Sequence, residues 1–245
     1  MIFEQPLIKP HGDRALRVTF GDERSLRVNR PVRALHFLLE ESPLLGIREM
    51  VPTYASLTVM FDPDQVDHAV LAAELAKAAA RARGRTGRQK AGRLLTIPVC
   101  YEGEYAPDMD YICGHTGLSP IQAVALHTGE TYYVFQLGFT PGCPFIGPLQ
   151  EELFVPLMQS PRTHTPKGAV AVSVGQTVIY PRATPGGMRI MGRTPVQLFQ
   201  LDHPDLTLFK PGDRVRFRAV GPDEFEAISS QTQILGQGVE VEEVD

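Results

Sequence analysis

The stretch GFTPGCPFIGPL, residues 138–149, opens a segment that continues through PRTHTPKGAVAVSVGQTVIY (161–180) and closes with PRATPGGMRIMGRTP (181–195). Glycines and prolines separate short runs that favour β-strands, and few of the side chains are charged. Glycine reaches positive φ angles and proline fixes φ at about −65°, so this density of both residues fixes the shapes of loops. The pattern predicts the tight turns of a small β-barrel, whose loops are candidates for carrying binding groups.

Short strands extend on both sides of this segment. Leu95 to Tyr101 and Thr131 to Leu137 precede it, while Val196 to Leu201 and Arg214 to Val220 follow it, the last with arginines on one face. Asp108 offers an N-cap for a short helix over 109–113, and Ser119-Pro120 is typical of a second helix start. Many short strands with few helices indicate a closed or nearly closed antiparallel barrel.

The first third of the chain has a different pattern. Ala15 to Phe20 and Ala55 to Phe61 alternate apolar and polar residues, and a third strand is expected between Gly46 and Pro52. One helix is predicted with Pro31 in its first turn, and a second after the Asp62-Pro63-Asp64 turn. This order predicts a small α+β sandwich of the split-βαβ type that packs and positions rather than catalyses.

The composition shifts define four regions. We predict an α+β domain over 1–84, a linker over 85–93, a β-barrel domain over 94–228 and an acidic tail over 229–245. The run RARGRTGRQKAGR (81–93) is basic, and it indicates either a solvated linker or a patch for an anion or RNA. The tail alternates valine with acid, so it is expected to be mobile or to pair as an edge strand with another chain.

Length and charge exclude several classes of protein. The 245 residues have a net charge of −4, which gives no reason to expect a nucleic acid or an anionic membrane as partner. No apolar run approaches the roughly 20 residues that span a bilayer, and the start lacks the pattern of a secretory signal. The three cysteines have no metal-ligand spacing, so we expect reduced thiols, no metal site and a cytoplasmic protein.

Two residues near the central segment have reactive side chains. His127 precedes the strand that leads into the Gly138 loop, where a histidine is either a general base or a structural hydrogen-bonding group. Cys143 lies within the loop and invites a nucleophile interpretation beside His127, although no nucleophile-elbow or P-loop motif is present.

Cations and neutral polar groups are the remaining candidates. Arg162, Lys167 and Arg193 supply positive charge for a carboxylate or phosphate, while Gln176 and Thr177 offer hydrogen bonds to a small amide. We predict that these five groups converge on one pocket at the barrel. The alternative for each is hydrogen bonding within turns or at the barrel rim.

The motifs GF-PG-P-F-G, PR…P, Q-T-x-I-Y-P and P-G-G…I-x-G-R-T-P resemble the family of B-type subunits of 5-oxoprolinase, which includes KipI and allophanate hydrolase subunit 1. The resemblance runs from residue 12 to residue 220 and implies a ferredoxin-like part followed by a cyclophilin-like barrel. Cys143, Lys167 and Met188 depart from the family pattern, which usually has an aromatic at the first position and more often has an arginine and a tryptophan at the other two. On this basis we expect His127 and Arg193 to be catalytic. The expected substrate-binding residues are Gly138, Phe139, Pro141, Gly142, Arg162, Lys167, Gln176, Thr177, Tyr180, Gly186, Gly187 and Thr194.

The resemblance implies one component of a multi-chain enzyme. A B-type chain of this family pairs with a homologous C-type chain, and an A-type chain joins them for ATP-dependent opening of 5-oxoproline to glutamate. ATP and Mg²⁺ are then expected in the assembled complex and no cofactor on this chain alone. Two alternatives stay open: a carboxyltransferase or allophanate-type subunit acting on a urea-like amide, and a KipI-like inhibitor that binds a histidine kinase.

Overall fold

The computed structural model describes residues 1–84, 92–231 and 234–244. The chain divides into two compact units, Met1–Lys90 and Ala91–Asp245. Each unit encloses its own cluster of buried apolar side chains. No helix in the described ranges is long and apolar enough to cross a membrane.

The first unit is a four-stranded antiparallel sheet with two helices. In chain order its elements are β1 (Ile2–Pro10), β2 (Ala15–Gly21), α1 (Leu26–Glu41), β3 (Ile47–Pro52), β4 (Ser56–Phe61) and α2 (His68–Gly84). The strand order is β1-β2-β4-β3. The elements from β2 to α2 form the predicted split-βαβ arrangement. The fourth position of a ferredoxin-like sheet is filled by the N-terminal strand instead of a strand after α2.

Two details of this unit differ from the sequence prediction. Strand β1 was not predicted, because its polar residues alternate poorly and its pairing with β2 shifts register between Ile2 and Leu7. Helix α1 begins before Pro31, since the Ser25 hydroxyl accepts the Val28 N–H and caps the helix there. Pro31 therefore lies inside the helix and not in its first turn.

In the described residues, the second unit is a closed barrel accompanied by three α-helices. Its strands are β5 (Gly92–Cys100), β6 (Thr131–Leu137), β7 (Pro144–Gly147), β8 (Arg162–Thr165), β9 (Ala169–Ser173), β10 (Gln176–Ile179), β11 (Thr184–Gly186), β12 (Arg189–Arg193), β13 (Arg214–Val220) and β14 (Glu240–Val244). Its helices are α3 (Met109–Thr116), α4 (Pro120–Gly129) and α5 (Pro222–Gln231). Seven strands close in the order β12-β9-β10-β7-β6-β13-β5, and Arg193 of β12 pairs with Cys100 of β5 to complete the ring. Strands β8 and β11 form a separate two-stranded ribbon.

The α+β class with a barrel in the second unit is confirmed, with three corrections to the elements. The β5–β13 pair is parallel, so the barrel is not antiparallel throughout. The tail prediction is wrong for residues 240–244, because β14 pairs antiparallel with β5 of its own chain. The expected strand over 196–201 is also absent from the described residues, where Phe199 and Thr207 form a single bridge.

The predicted linker falls at the start of the barrel. Its residues 85–91 lie outside the described ranges, so the choice between a solvated connector and an anion patch stays a prediction there. Gly92 and Arg93 are part of β5. An Arg93 nitrogen lies 2.5 Å from a carboxylate oxygen of the buried Asp213, and the same nitrogen donates to the Leu208 carbonyl at 2.9 Å. These bonds fix the beginning of β5 to the barrel.

Candidate functional site

The outer face of β10 forms one wall of a cavity. Because side chains alternate along a strand, Thr177 and Ile179 point into the barrel core, while Gln176 and Val178 point outward. Tyr180 continues the outward row at the end of the strand. The cavity has a volume of about 440 Å³. Its described lining consists of Phe139, Cys143, Phe145, Leu157, Pro161, Gln176, Val178, Tyr180, Pro185, Gly186, Gly187 and Met188.

None of these lining side chains is charged, so the cavity is mainly apolar with an amide and a phenol as its polar groups. Burial raises the pKa of Tyr180, so its hydroxyl stays protonated at neutral pH and is available as a donor. Burial also raises the pKa of Cys143 to about 12. A thiol in that state is a poor nucleophile, which argues against the nucleophile interpretation of Cys143.

The 138–143 loop brings an exposed aromatic ring to the cavity mouth. The Gly138 N–H donates to the Cys143 carbonyl at 3.1 Å and closes the loop, and Pro141 and Gly142 form its turn. Phe139 takes a left-handed backbone conformation with φ of 66°, which is uncommon outside glycine. Its ring is 67% exposed and packs edge-on against Tyr180. Such a conformation costs about 1–3 kcal/mol and persists where the surrounding structure fixes the backbone.

Gly186 allows two parts of the cavity wall to approach closely. A Cβ at this position would lie 2.6 Å from the Tyr180 hydroxyl oxygen and 2.8 Å from Thr165 Oγ1. Both distances are shorter than real Cβ contacts, so only glycine fits here without displacing Tyr180. The adjacent Gly187 also lines the cavity. Close packing at the wall thus explains Gly186, whereas a Cβ at Gly187 would meet Pro161 at an ordinary 3.6 Å.

Lys167, Arg193 and Thr194 lie together but do not line this cavity. Arg193 Nε donates to the Lys167 carbonyl at 2.9 Å, and Lys167 Nζ donates to Gln197. Burial, with a smaller contribution from the charge of Arg193, lowers the pKa of Lys167. The Thr194 N–H donates to the Gly168 carbonyl, so this group holds the β8–β9 turn against the end of β12.

His127 and Thr177 are inside the barrel core. The His127 side chain is 0% exposed and stacks on Phe217 with ring centroids 4.2 Å apart. Thr177 Oγ1 donates to the Ala171 carbonyl at 3.2 Å and therefore accepts from His127 Nε2, also at 3.2 Å. The other ring nitrogen, Nδ1, then accepts from the Tyr101 hydroxyl at 2.8 Å. Burial lowers the pKa of His127 to about 3, so the ring is neutral, and it connects helix α4 to Tyr101, to β10 and to β13.

The prediction of one shared pocket is therefore wrong. Gln176 lines the cavity, whereas Thr177 faces the opposite side of the same strand. Lys167 and Arg193 lie together at a third place, outside the cavity lining. The physical reason is the period of two along β10, which separates neighbouring residues onto opposite faces. The catalytic roles of His127 and Arg193 stay predictions. Both side chains form hydrogen bonds to neighbouring barrel residues, which favours a role in holding those residues in place.

Arg162 lies next to the cavity and forms an ion pair that the sequence did not predict. Its Nη2 is 2.5 Å from Asp108 Oδ1, and Arg189 Nη1 is 3.9 Å from the same oxygen. Asp108 stands at the N-cap of α3, as expected, yet its side chain makes no cap hydrogen bond. One signal for this cluster was present in the sequence. Arg189 directly follows Met188, which lines the cavity, so it had to lie close to the cavity wall.

Comparison with known proteins places this architecture in a family. The chain belongs to the family of the carboxyltransferase domain, subdomains C and D, whose model matches residues 6–209. The B-type subunit of 5-oxoprolinase from Bacillus subtilis (strain 168) is 33% identical over 233 residues, which cover 92% of this chain and 97% of that protein. The range matched by the family model includes Gly138, Phe139, Gln176 and the Pro-Gly-Gly motif.

Two solved structures share the fold. The crystal structure of TTHA0988 is 34% identical, with a TM-score of 0.74, and the match covers 85% of this chain and 40% of that longer chain. The Kluyveromyces lactis urea carboxylase has a TM-score of 0.78 at 21% identity, with 99% of this chain and 25% of that chain covered. At that identity the second likeness supports the fold alone.

Proposed function

We propose that this chain is the B-type subunit of an ATP-dependent 5-oxoprolinase, which opens 5-oxoproline to glutamate with a C-type and an A-type partner chain. The observation that carries the proposal is the 33% identity to a B-type 5-oxoprolinase chain along nearly the whole of both proteins. Three free thiols further support a cytoplasmic location, where cysteines stay reduced.

The cavity chemistry supports a small lactam as its ligand. The Gln176 side chain carries an amide oxygen and an amide N–H₂, which complement the N–H and the carbonyl of a lactam ring. The protonated Tyr180 hydroxyl offers a second donor to the lactam carbonyl. The apolar walls from Val178 and Met188 cover the ring methylenes and strengthen these hydrogen bonds by excluding water.

The nucleotide and its metal ion belong elsewhere in the proposed complex. The described cavity lining has no charged side chain to neutralise a triphosphate. The described residues also contain no group of three or more His, Cys, Asp or Glu side chains that could hold Mg²⁺. The described lining of this cavity therefore does not fit Mg-ATP, and no step on this chain is assigned to it. We propose that ATP binds to a partner chain.

The experiment is reconstitution from purified chains. The chain is expressed with the C-type and A-type proteins of its native cell, and glutamate release from 5-oxoproline is measured with ATP and Mg²⁺. We expect release from the complete mixture and none from this chain alone or from the mixture that lacks it. Release that is unchanged by omitting this chain contradicts the proposed function.

A second candidate is a docking protein of the KipI kind. The observation that favours it is the apolar cavity mouth, where Phe139 is 67% and Leu157 is 57% exposed. Exposed apolar groups of this size beside a cavity often mark protein contacts. Inhibition of a histidine kinase by this chain, without glutamate release in the complete mixture, would favour this function. A carboxyltransferase-type function would instead be indicated by turnover of allophanate or urea in place of 5-oxoproline.

A further inference from the structure

The first unit contains a cavity of its own, and three arginines line it. Its volume is about 450 Å³, close to that of the cavity beside β10. Arg27 and Arg30 belong to helix α1, and Arg83 belongs to helix α2. The described lining of this arginine pocket consists of Ile2, Leu26, Arg27, Arg30, Pro31 and Arg83. It combines three positive charges with three apolar side chains, and no acidic side chain is among these residues.

The two arginines of α1 occupy positions that the helix itself disfavours for cations. Arg27 and Arg30 are three residues apart, so they are neighbours on one face of the helix, where like charges repel. The first turn of α1 contains Arg27 and no acid, although the partial positive charge of a helix N-terminus favours acids there. Both arginines are exposed. A bound anion would remove both sources of repulsion at once.

The third arginine of the pocket, Arg83, is held in place by strand β1. Its Nη1 atom donates to the Glu4 carbonyl, and its Nη2 atom donates to the Phe3 carbonyl. Its guanidinium carbon also lies 5.8 Å from the centroid of the Phe20 ring. Carbonyl oxygens carry no net charge, so these bonds orient the guanidinium without cancelling its charge. A guanidinium that is already fixed loses less side-chain entropy when it binds an anion.

Glu23 is an acid that acts on this group without lining the pocket. The positive charge of Arg27 contributes to lowering the pKa of Glu23, although the hydrogen bond from the Met1 ammonium group is the main cause. One Glu23 carboxylate oxygen accepts from the Ser25 hydroxyl at 2.8 Å, and the other lies 2.8 Å from the Met1 nitrogen. Even when Glu23 is counted with the lining, three arginines less one carboxylate leave two excess positive charges.

The lining chemistry indicates an organic phosphate. Arginine presents its N–H groups in a fork that matches phosphate oxygens, and a phosphate monoester carries close to two negative charges at neutral pH. Ile2, Leu26 and Pro31 provide an apolar wall for the organic part of such a molecule. The volume is in the usual range of small-molecule sites, about 300–1,000 Å³. Because the described lining has no carboxylate that could hold Mg²⁺, it favours a metal-free phosphate over Mg-ATP.

We propose that the arginine pocket binds a small organic phosphate monoester, with Arg83 as the fixed contact and with Arg27 and Arg30 as the contacts from α1. The apolar residues of the lining cover the organic part. This site is separate from 5-oxoproline turnover, because its residues belong to the first unit and those of the cavity beside β10 belong to the second. The failure of either proposal therefore leaves the other in place.

The test is an NMR titration of the full chain with phenyl phosphate, and with inorganic phosphate for comparison. We expect phenyl phosphate to shift the backbone amides of residues 26–30 and to bind more tightly than inorganic phosphate. Arg30→Gln removes one charge from an exposed side chain, so affinity for phenyl phosphate should fall roughly tenfold or more. Arg81→Gln is the matched control, because it makes the same change in net charge at an exposed position of α2 outside the lining. Its affinity should stay within about twofold of the wild type.

Three results would overturn the proposal. The first is the absence of shifts at residues 26–30 with phenyl phosphate, and the second is an equal loss of affinity in Arg30→Gln and Arg81→Gln, which indicates diffuse attraction by net charge. The third is binding of inorganic phosphate as tight as that of phenyl phosphate, which removes the role of the apolar wall. Vesicles that contain phosphatidic acid test a lipid source of the same chemistry. Pelleting of the wild type but not of Arg30→Gln would replace the soluble ester by a lipid headgroup, and no pelleting supports the soluble ester.

Discussion

At the residue scale, the surroundings of His127 explain why a histidine occupies a core position. Its two ring nitrogens connect the Tyr101 hydroxyl to Thr177, and Thr177 passes the hydrogen bond to the Ala171 carbonyl. An apolar residue would remove the partner of the Tyr101 hydroxyl inside the core, at a cost of about 1–3 kcal/mol, while Thr177 would keep its bond to the Ala171 carbonyl. The network also fixes β10, whose other face presents Gln176 to the cavity.

The first prediction concerns the pH dependence of stability. The folded state keeps His127 neutral down to about pH 3, whereas the unfolded chain takes up the proton below about pH 6.5. The free energy of unfolding should therefore fall as pH decreases through this window, by up to about 1.4 kcal/mol per pH unit from this group. Urea unfolding at pH 7.0 and pH 5.0 should show a smaller loss for His127→Gln than for the wild type. The exposed His164→Gln is the matched control, and equal losses in all three proteins would contradict the assignment.

The second prediction concerns the cavity wall. Gly186→Ala places a Cβ about 2.6 Å from the Tyr180 hydroxyl oxygen, so Tyr180 or the ribbon has to move. We expect a loss of about 1–3 kcal/mol in the free energy of unfolding, the usual cost of overpacking. Gly221→Ala, which meets nothing within 4 Å, is expected to stay close to the wild type. Thermal melting of both variants checks this, and a Gly186→Ala protein as stable as Gly221→Ala would show that the wall is not closely packed.

At the element scale, the strands that close the barrel decide which edges remain open. Strand β5 pairs with β13 along most of its length, with β12 at Cys100, and with β14 over residues 92–96. Without β14, this part of β5 would expose unpaired N–H and carbonyl groups. Open edges of this kind pair with other chains, so β14 protects the barrel against self-association.

The third prediction follows from this role of β14. Removal of residues 240–245 should expose the β5 edge and increase self-association, because residues 240–244 supply the β14 ladder. Sedimentation velocity should show dimers or larger species at concentrations where the full chain is monodisperse, and the amides of β5 should exchange faster. A truncated chain with unchanged sedimentation and unchanged exchange would contradict the structural role of the tail.

Elements with a complete local signal were predictable from the sequence, and the others were not. Ser119 and Gln122 form both halves of a capping box, so α4 begins where the Ser-Pro pair indicated. Strand β14 has alternating valines, but which edge it pairs with is a long-range property that no local pattern contains. Strand β1 lacks clear alternation of apolar and polar residues, and its pairing with β2 shifts register between Ile2 and Leu7, so no local pattern indicates it.

At the scale of the whole molecule, the barrel and its cavity were predictable in outline, while the grouping of side chains was not. Five residues of the Gly/Pro segment line the cavity, namely Phe139, Gln176, Tyr180, Gly186 and Gly187, and their substrate-binding roles stay predictions. Thr177 lies in the core and not with Gln176, because neighbouring residues of a strand point to opposite faces. The pairing of Asp108 with Arg189 was not predicted because it joins positions that are 81 residues apart in the chain, 189 less 108.

The most direct test of the account is the activity of the reconstituted complex with one altered cavity residue. Gln176→Leu removes the amide that is proposed to face the lactam and keeps the apolar volume of the wall. Val174→Ala changes an exposed residue of the adjacent turn, outside the cavity, and serves as control. We predict that Gln176→Leu lowers kcat/KM for 5-oxoproline roughly tenfold or more, with co-purification of the partner chains intact and Val174→Ala near wild type. A fully active Gln176→Leu complex would contradict the claim that this cavity receives the substrate.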